Sequence, residues 1–295
     1  MKSGLIVINK EAGFTSFDVV AKLRGILHMK KIGHTGTLDP SACGVLPIVI
    51  GKATKAVDFM DDHDKAYIAT IEFGKTTDTY DSDGEVLKTS ELVVTKEEVE
   101  EELLKFMGKQ KQLPPMYSAK KVNGKKLYEL AREGIEIERA ACDIEIYDLK
   151  LISFSYPEAK ISVSCSKGTY IRSLIHDLGQ NLGCGAMMTG LLRTKACGFS
   201  LEESFFISDI EKLRDENCLD NIIHPLDELF HYKKVYCLPE SDKLLENGNK
   251  IPLDLAKPVE AQIDERLAVY HSDGRFAGIF KKQEDCYKPE KFFLE

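Results

Sequence analysis

Asp39 stands directly before Pro40 at the end of Gly33-His34-Thr35-Gly36-Thr37-Leu38-Asp39-Pro40. A proline locks its own φ and pushes the preceding residue toward extended backbone. Asp39 is therefore expected on a rigid turn rather than on a helix face, and Gly33 and Gly36 leave room for another backbone to come close. Such a turn presents one carboxylate at a fixed place. Asp, Gly and Pro also dominate ordinary turns, so the octapeptide alone does not separate an Asx-type turn from a site.

The segments around it alternate between short strands and helices. Leu5-Ile6-Val7-Ile8 reads as a buried strand followed by a turn. Thr15 or Ser16 caps a helix through about His28, with Val20, Leu23 and Leu27 on one face. The apolar run Val45–Ile50 ends at Gly51, and Lys52 to Met60 reads as helical. Tyr67, Ala69, Ile71 and Phe73 alternate as a strand, and Thr95 with Glu98 has capping-box spacing before a helix that Gly108 ends. Leu113 to Asn123 is expected as a surface loop. Ile161, Val163 and Cys165 alternate, and Thr169 to Leu182 forms a helix. From about residue 232 the character changes to short β segments, such as 266–271 and 275–280 joined by Ser-Asp-Gly, which marks a compact β module. There is no internal repeat and no low-complexity segment.

The net charge of −8 argues against a polyanionic partner until its distribution is considered. Residues 201–295 carry 13 Lys+Arg and 21 Asp+Glu, which leaves residues 1–200 balanced at 27 of each. Residues 1–60 have 8 basic and 4 acidic groups, and residues 105–126 have seven lysines and no acid. Salt screens charges beyond about 10 Å, so a nucleic acid responds to the local field and not to the total. The eight cysteines form no CxxC pair and lack zinc-site spacing, so neither metal nor disulfide is assigned to them. No run approaches the roughly 18 apolar residues of a membrane helix, and no signal peptide is recognised, so a cytoplasmic protein is expected.

Two motif-like stretches fail on spacing. Gly44 to Lys52 has six residues between its glycines where a P-loop has four, and Thr79 to Gly84 would place Ser90 where an EF-hand needs its bidentate carboxylate. Arg172 is more informative. It falls in the first turn of a helix, where the helix dipole disfavours a cation, so it calls for an anion: a phosphate, Asp39, or merely a surface acid such as Asp143 or Asp177. Tyr67 is either a core tyrosine or a site residue. Residues 114–128 interleave lysines with Tyr117 and Tyr128, as a surface that follows a nucleic-acid strand would.

The chain resembles the TruB family of bacterial tRNA pseudouridine synthases. The matching segments are Asn9-Lys10 with 13–16, 33–40 with 44–47, Tyr67, 77–79 with 81–84, 114–119, 168–172, 191–194 and 198–199, in family order. The resemblance implies an α+β protein with a pseudouridine synthase fold and a central mixed, mainly antiparallel sheet. It also implies a catalytic domain over 1–231 with an RNA-gripping insertion at about 92–140, and a small C-terminal β-rich, PUA-like domain over 232–295. The implied activity is isomerisation of uridine-55 in the tRNA T loop by base flipping, without cofactor or metal. Asp39 would be the nucleophile, Arg172 its partner, and Tyr67 would pack on the uracil and help remove the C5 proton. Leu191 would line the pocket, His34 would enter the T loop, and Lys10 and Asp81 would be polar neighbours. Gly33 and Gly36 would admit RNA, and Lys120 and Lys121 would grip it. The expected partner is the tRNA T stem-loop, bound by a monomer with no membrane and no guide RNA. Attack by Asp39 on ribose C1′ or on base C6 stays open, as does the alternative of a catalytically silent RNA-binding or tRNA-folding protein of the same fold.

Overall fold

The structure, a computed structural model, describes residues 3–60, 62–122 and 124–294; Asn123, the end of the expected surface loop, lies outside them. The chain enters through β1 (Gly4–Lys10), whose Leu5, Ile6, Val7 and Ile8 are all buried because the strand is covered on both faces. Helix α1 (Ser16–Ile26) begins at Thr15, which makes a reciprocal capping box with Asp18 and turns Val19, Leu23 and Ile26 inward. Strands β2 (Ile32–His34) and β3 (Cys43–Ile50) follow, separated by the 35–42 loop.

Lys52 to Met60 is not one helix. It forms two 3₁₀ turns, Gly51–Lys55 and Val57–Phe59. Neither turn has a side-chain cap, and the two buried alanines, Ala53 and Ala56, are three apart, which suits three residues per turn.

Next come β4 (Lys65–Phe73), β5 (Lys75–Thr77), β6 (Val86–Thr89), α2 (Lys96–Leu104) and β7 (Gly108–Gln112). After them lie β8 (Lys121–Val122), β9 (Lys125–Lys126), α3 (Leu127–Arg132), β10 (Cys142–Ser155) and β11 (Glu158–Cys165). Helix α4 (Ile171–Asn181), β12 (Ala186–Ala196), β13 (Phe199–Ser200), α5 (Ile207–Asp215) and β14 (His224–Pro225) complete this part. The ten-stranded sheet runs β14-β1-β3-β12-β4-β11-β10-β7, with β2 on β3 and β13 on β12. Within the 92–140 stretch, β7 pairs with β10 and α2 places Val99 and Leu103 in the main core, so only the segment after β7 stands off the sheet.

Among the described residues, every strand pairing in this sheet is antiparallel except β3 with β12, which meet in parallel through Leu192–Cys43 and Arg193–Gly44. Gly44 has φ +103°, and a Cβ there would lie 2.2 Å from the Arg193 carbonyl oxygen. The seam closes only over a glycine. It joins the β1–β3 half, packed on α1 and α5, to the β4–β11–β10 half, packed on α2 and α4. The 35–42 loop leads into this seam.

The C-terminal β domain contains β15 (Lys233–Tyr236), α6 (Asp242–Glu246), β16 (Ile251–Pro252), β17 (Arg266–Tyr270), β18 (Phe276–Lys282) and β19 (Cys286–Phe292). Its five-stranded sheet, β15-β17-β18-β19-β16, closes on Val235, Leu267, Val269 and Phe280. Ile279 and Phe293 join Leu5, Val7, Val49 and Phe230 in a common core, which fastens this domain to the back of β1 and β3. All eight cysteines are free thiols, and Cys165, Cys184, Cys197, Cys237 and Cys286 are buried as small apolar groups. Among the described residues no helix is long and apolar enough to cross a membrane.

Candidate active site

The loop before β3 is held almost residue by residue. Leu38 is buried in the core; its N–H donates to Ser16 Oγ at 2.9 Å, and Ser16 Oγ donates to the Leu38 carbonyl at 3.1 Å. Thr35 N–H donates to the Pro47 carbonyl, Gly13 N–H to the Pro40 carbonyl and Ala42 N–H to the Asp39 carbonyl, at 3.1, 2.8 and 3.1 Å. Lys10, fully buried, donates from Nζ to the carbonyls of Glu11, Phe14 and Pro40 at 3.0, 2.7 and 3.2 Å. Burial lowers its pKa to about 8, with Cys43 and Asp39 opposing the shift, so at neutral pH the amine is a cation.

Arg193 completes the frame. It is 1% exposed, and its Nε, Nη1 and Nη2 donate to the carbonyls of Val45, Thr37 and Gly36 at 2.7, 3.2 and 3.3 Å. One guanidinium therefore ties β12 to the loop and to β3. Nothing in the sequence pattern alone assigns Arg193 this role. An arginine in a strand otherwise reads as solvent-facing, and the available signal is its place directly after the apolar Leu191-Leu192.

Asp39 emerges from this frame with its side chain 35% exposed, and Arg172 Nε lies 3.1 Å from its Oδ2. Arg172 is buried and engages three further acceptors. Its Nη1 is 3.3 Å from Asp81 Oδ2 and 3.1 Å from the Thr79 carbonyl, and its Nη2 donates to the Tyr117 carbonyl at 2.8 Å. Asp39 and Asp81 are thus the anions that the helix position of Arg172 required, while Asp143 and Asp177 are not its partners. Burial raises the Asp81 pKa, opposed by the Thr79 hydroxyl and by Arg172. The turn carrying Thr79 and Asp81 is propped by Tyr80, which has φ +65° and stacks on His176 at 3.8 Å between ring centroids.

The 113–118 segment is not a free surface loop. Pro114, Pro115 and Ser118 are buried, Ser173 Oγ donates to the Leu113 carbonyl at 2.9 Å, and Gln112 exchanges two hydrogen bonds with the Tyr170 backbone. The exposed polar groups of the α4 N-terminus recruit the loop, and this brings the Tyr117 carbonyl to Arg172.

Tyr67 lies opposite Arg193 in the β4–β12 register, with Leu191 opposite Ala69 on the same face. Tyr67 is 6% exposed and sits in the core; burial pushes its pKa up to about 12, so the phenol is neutral at physiological pH. His34, half-buried on β2, has its pKa lowered by burial, and its Nδ1 is buried without a hydrogen-bond partner among the described residues. Neither Gly33 nor Gly36 has positive φ, and a Cβ on either would make only ordinary contacts. The chain's own packing gives no reason for glycine at these positions. Asp39, Asp81, Arg172, Lys10, Tyr67 and Leu191 thus converge at the seam. Lys120 and Lys121 stand apart: Lys120 Nζ meets the Ala140 carbonyl and Cys142 Sγ, and Lys121 is exposed on the β8–β9 hairpin.

This sheet, with a pinned carboxylate at its seam, defines the class: the fold is that of pseudouridine synthases. It superposes on a chain of the crystal structure of a Cbf5-Nop10-Gar1 complex with a TM-score of 0.74 at 23% identity, covering 99% of this chain and 85% of that one. It likewise matches a chain of an H/ACA RNP bound to a substrate RNA containing 2'-deoxyuridine, with a TM-score of 0.73 at 22% identity and the same coverage of 99% and 85%. Residues 24–171 match the N-terminal domain of TruB family pseudouridylate synthase, and residues 172–231 match the tRNA pseudouridylate synthase B C-terminal domain. Relatives called tRNA pseudouridine synthase B include one from Clostridium novyi (strain NT), 45% identical over 292 residues, covering 99% of this chain and 100% of its own. Another, from Dehalococcoides mccartyi, is 41% identical over 296 residues, covering 99% and 96%. The chain belongs to the TruB family of pseudouridylate synthases.

Proposed function

We propose that this chain converts uridine-55 in the T loop of tRNA to pseudouridine, acting in the cytoplasm as a monomer and without a guide RNA. The observation that supports it most is Asp39: a carboxylate on a loop whose carbonyls are pinned by Lys10 and Arg193, paired with a buried arginine and still open on one side. A base inside a stem-loop is out of reach of such a group, so the target nucleotide is flipped out, and His34 takes the vacated space. Asp39 then acts as nucleophile in a transient covalent bond. The N1–C1′ bond breaks, the uracil turns, C5 bonds to C1′, the bond to Asp39 breaks and restores its carboxylate, the C5 proton leaves and N1 gains a proton. Atoms and electrons balance without an external reactant.

Leu191 and Tyr67 line the apolar side of the pocket and keep water from the intermediate. With its pKa at about 12, Tyr67 takes part as a neutral phenol, packing on the uracil and relaying the C5 proton through its hydroxyl. Acid–base groups of this kind contribute about 10²–10⁴-fold, so Tyr67→Phe is expected to lower kcat by about 10²-fold with little change in KM. Single-turnover rates measure this, and an unaltered rate removes the hydroxyl from the mechanism.

Mapping the product nucleotide by nucleotide tests the function. The chain alone, incubated with an unmodified tRNA transcript, is expected to give one pseudouridine, in the T loop at position 55. A different position overturns the substrate assignment. Tight binding without product identifies a catalytically silent RNA-binding protein.

A further inference from the structure

Alternation along β4 puts Lys65 on the same face as Tyr67, two residues away, and directs it toward the loop that carries Asp39. A Cβ on Gly36 would lie 3.7 Å from both Cε and Nζ of Lys65, so the amine lies against this loop. Glycine at 36 leaves that amine uncovered. The other cations of the site are engaged: Arg172 by Asp39 and Asp81, Arg193 and Lys10 by three carbonyls each. Lys65 Nζ has neither a hydrogen bond nor an ion pair among the described residues. Its acidic neighbour, Asp64, accepts from the Tyr147 hydroxyl at 3.1 Å.

Burial and Arg193 both disfavour the charge on Lys65, with Cys197, Cys165 and Asp64 opposing them. A half-buried amine without an acceptor costs free energy that a bound anion recovers. The surrounding charges point the same way. Four cations, Lys10, Lys65, Arg172 and Arg193, gather at this site, where Asp39 and Asp81 pair with Arg172 and the more distant Asp18 and Asp64 act on Lys10 and Lys65 without pairing with either, so the site is locally cationic in a chain of net charge −8.

We propose that Lys65 Nζ binds a backbone phosphate flanking the flipped nucleotide and so fixes the ribose against Asp39. This rests on the reading of the chain as an RNA-modifying enzyme and adds a binding group to it. A lysine is a compact charge with three donors, suited to one phosphate oxygen. Such a contact positions the RNA without reading its sequence.

The test measures binding of an unmodified T stem-loop RNA across a KCl series for the wild type, Lys65→Met and Lys65→Arg. Lys65→Met is expected to weaken binding about tenfold at low salt and to reduce the slope of log K against log salt by about 0.7–0.9, the value of one phosphate contact; Lys65→Arg keeps the slope. RNAs carrying one uncharged methylphosphonate beside the target then locate the partner. One position should weaken wild-type binding and leave Lys65→Met indifferent. An unchanged slope, or identical methylphosphonate penalties in both proteins, overturns the proposal. Thermal melts check folding, and Lys65→Gln replaces the methionine variant if that one melts early. The same RNA, assayed for pseudouridine with the wild type, separates the two readings: a slope change without product keeps the phosphate site and sinks the proposed reaction.

Discussion

Asp39→Asn is expected to lower pseudouridine formation by about 10⁴-fold or more, while tRNA binding changes by less than about threefold. Asparagine has the shape of aspartate and can still accept from Arg172, but its amide is a poor nucleophile. Nothing structural is expected to fail. The loop is held through main-chain carbonyls by Lys10 and Arg193 and through Leu38 and Ser16, none of which depends on the Asp39 carboxylate. Arg172 keeps Asp81 and two carbonyls, so no buried charge is orphaned. Release of tritium from uracil C5 measures the rate, filter binding the affinity and thermal denaturation the fold. A variant within tenfold of the wild-type rate would sink the assignment of Asp39 as nucleophile, and a large fall in melting temperature would make its role structural.

Local rules make legible that Asp39 sits on a fixed turn and that Arg172 needs an anion, while the pairing of the two comes only from the family resemblance. A proline fixes the aspartate's backbone, and a helix dipole makes an arginine in a first turn ask for an anion. Helix α1 is legible for a similar reason, since Thr15 and Asp18 satisfy each other within four residues. Long-range geometry is not. The role of Arg193 depends on one parallel seam in an otherwise antiparallel sheet, and no periodicity announces which strands meet there. Lys10 reads as a polar neighbour of the site, yet its amine is spent on three carbonyls and its contribution is to hold the loop. The 113–118 segment has loop composition, and only its docking on α4 turns the Tyr117 carbonyl into an Arg172 ligand. Lys65 carries no signal in the sequence because a strand lysine normally faces water, whereas here its strand lines the site.

Arg172→Leu carries the second large effect, and it separates catalysis from stability. Arg172 is 6% exposed and serves Asp39, Asp81 and two carbonyls. Removing it leaves the Thr79 and Tyr117 carbonyls without a donor and Asp81, itself 6% exposed, without its cation. Breaking a buried pair from one side costs about 3–5 kcal/mol. The Asp39 half adds little to this because that carboxylate is a third exposed. Catalysis should fall by about 10³-fold, since Asp39 loses its orientation. Arg172→Lys keeps the charge but cannot reach four acceptors with one amine, so it should recover part of the stability and little of the rate. The pH dependence identifies the cause. Burial already raises the Asp81 pKa, so the folded state binds its proton more tightly than the unfolded state does. Stability therefore rises as pH falls from neutral through the folded pKa. Without Arg172 that pKa rises further, and the window widens. Urea unfolding of both proteins should show a gap that is smaller at about pH 5 than at about pH 8. A gap independent of pH would mean that the loss comes from the carbonyls and from packing, and that Asp81 is not the charge Arg172 neutralises.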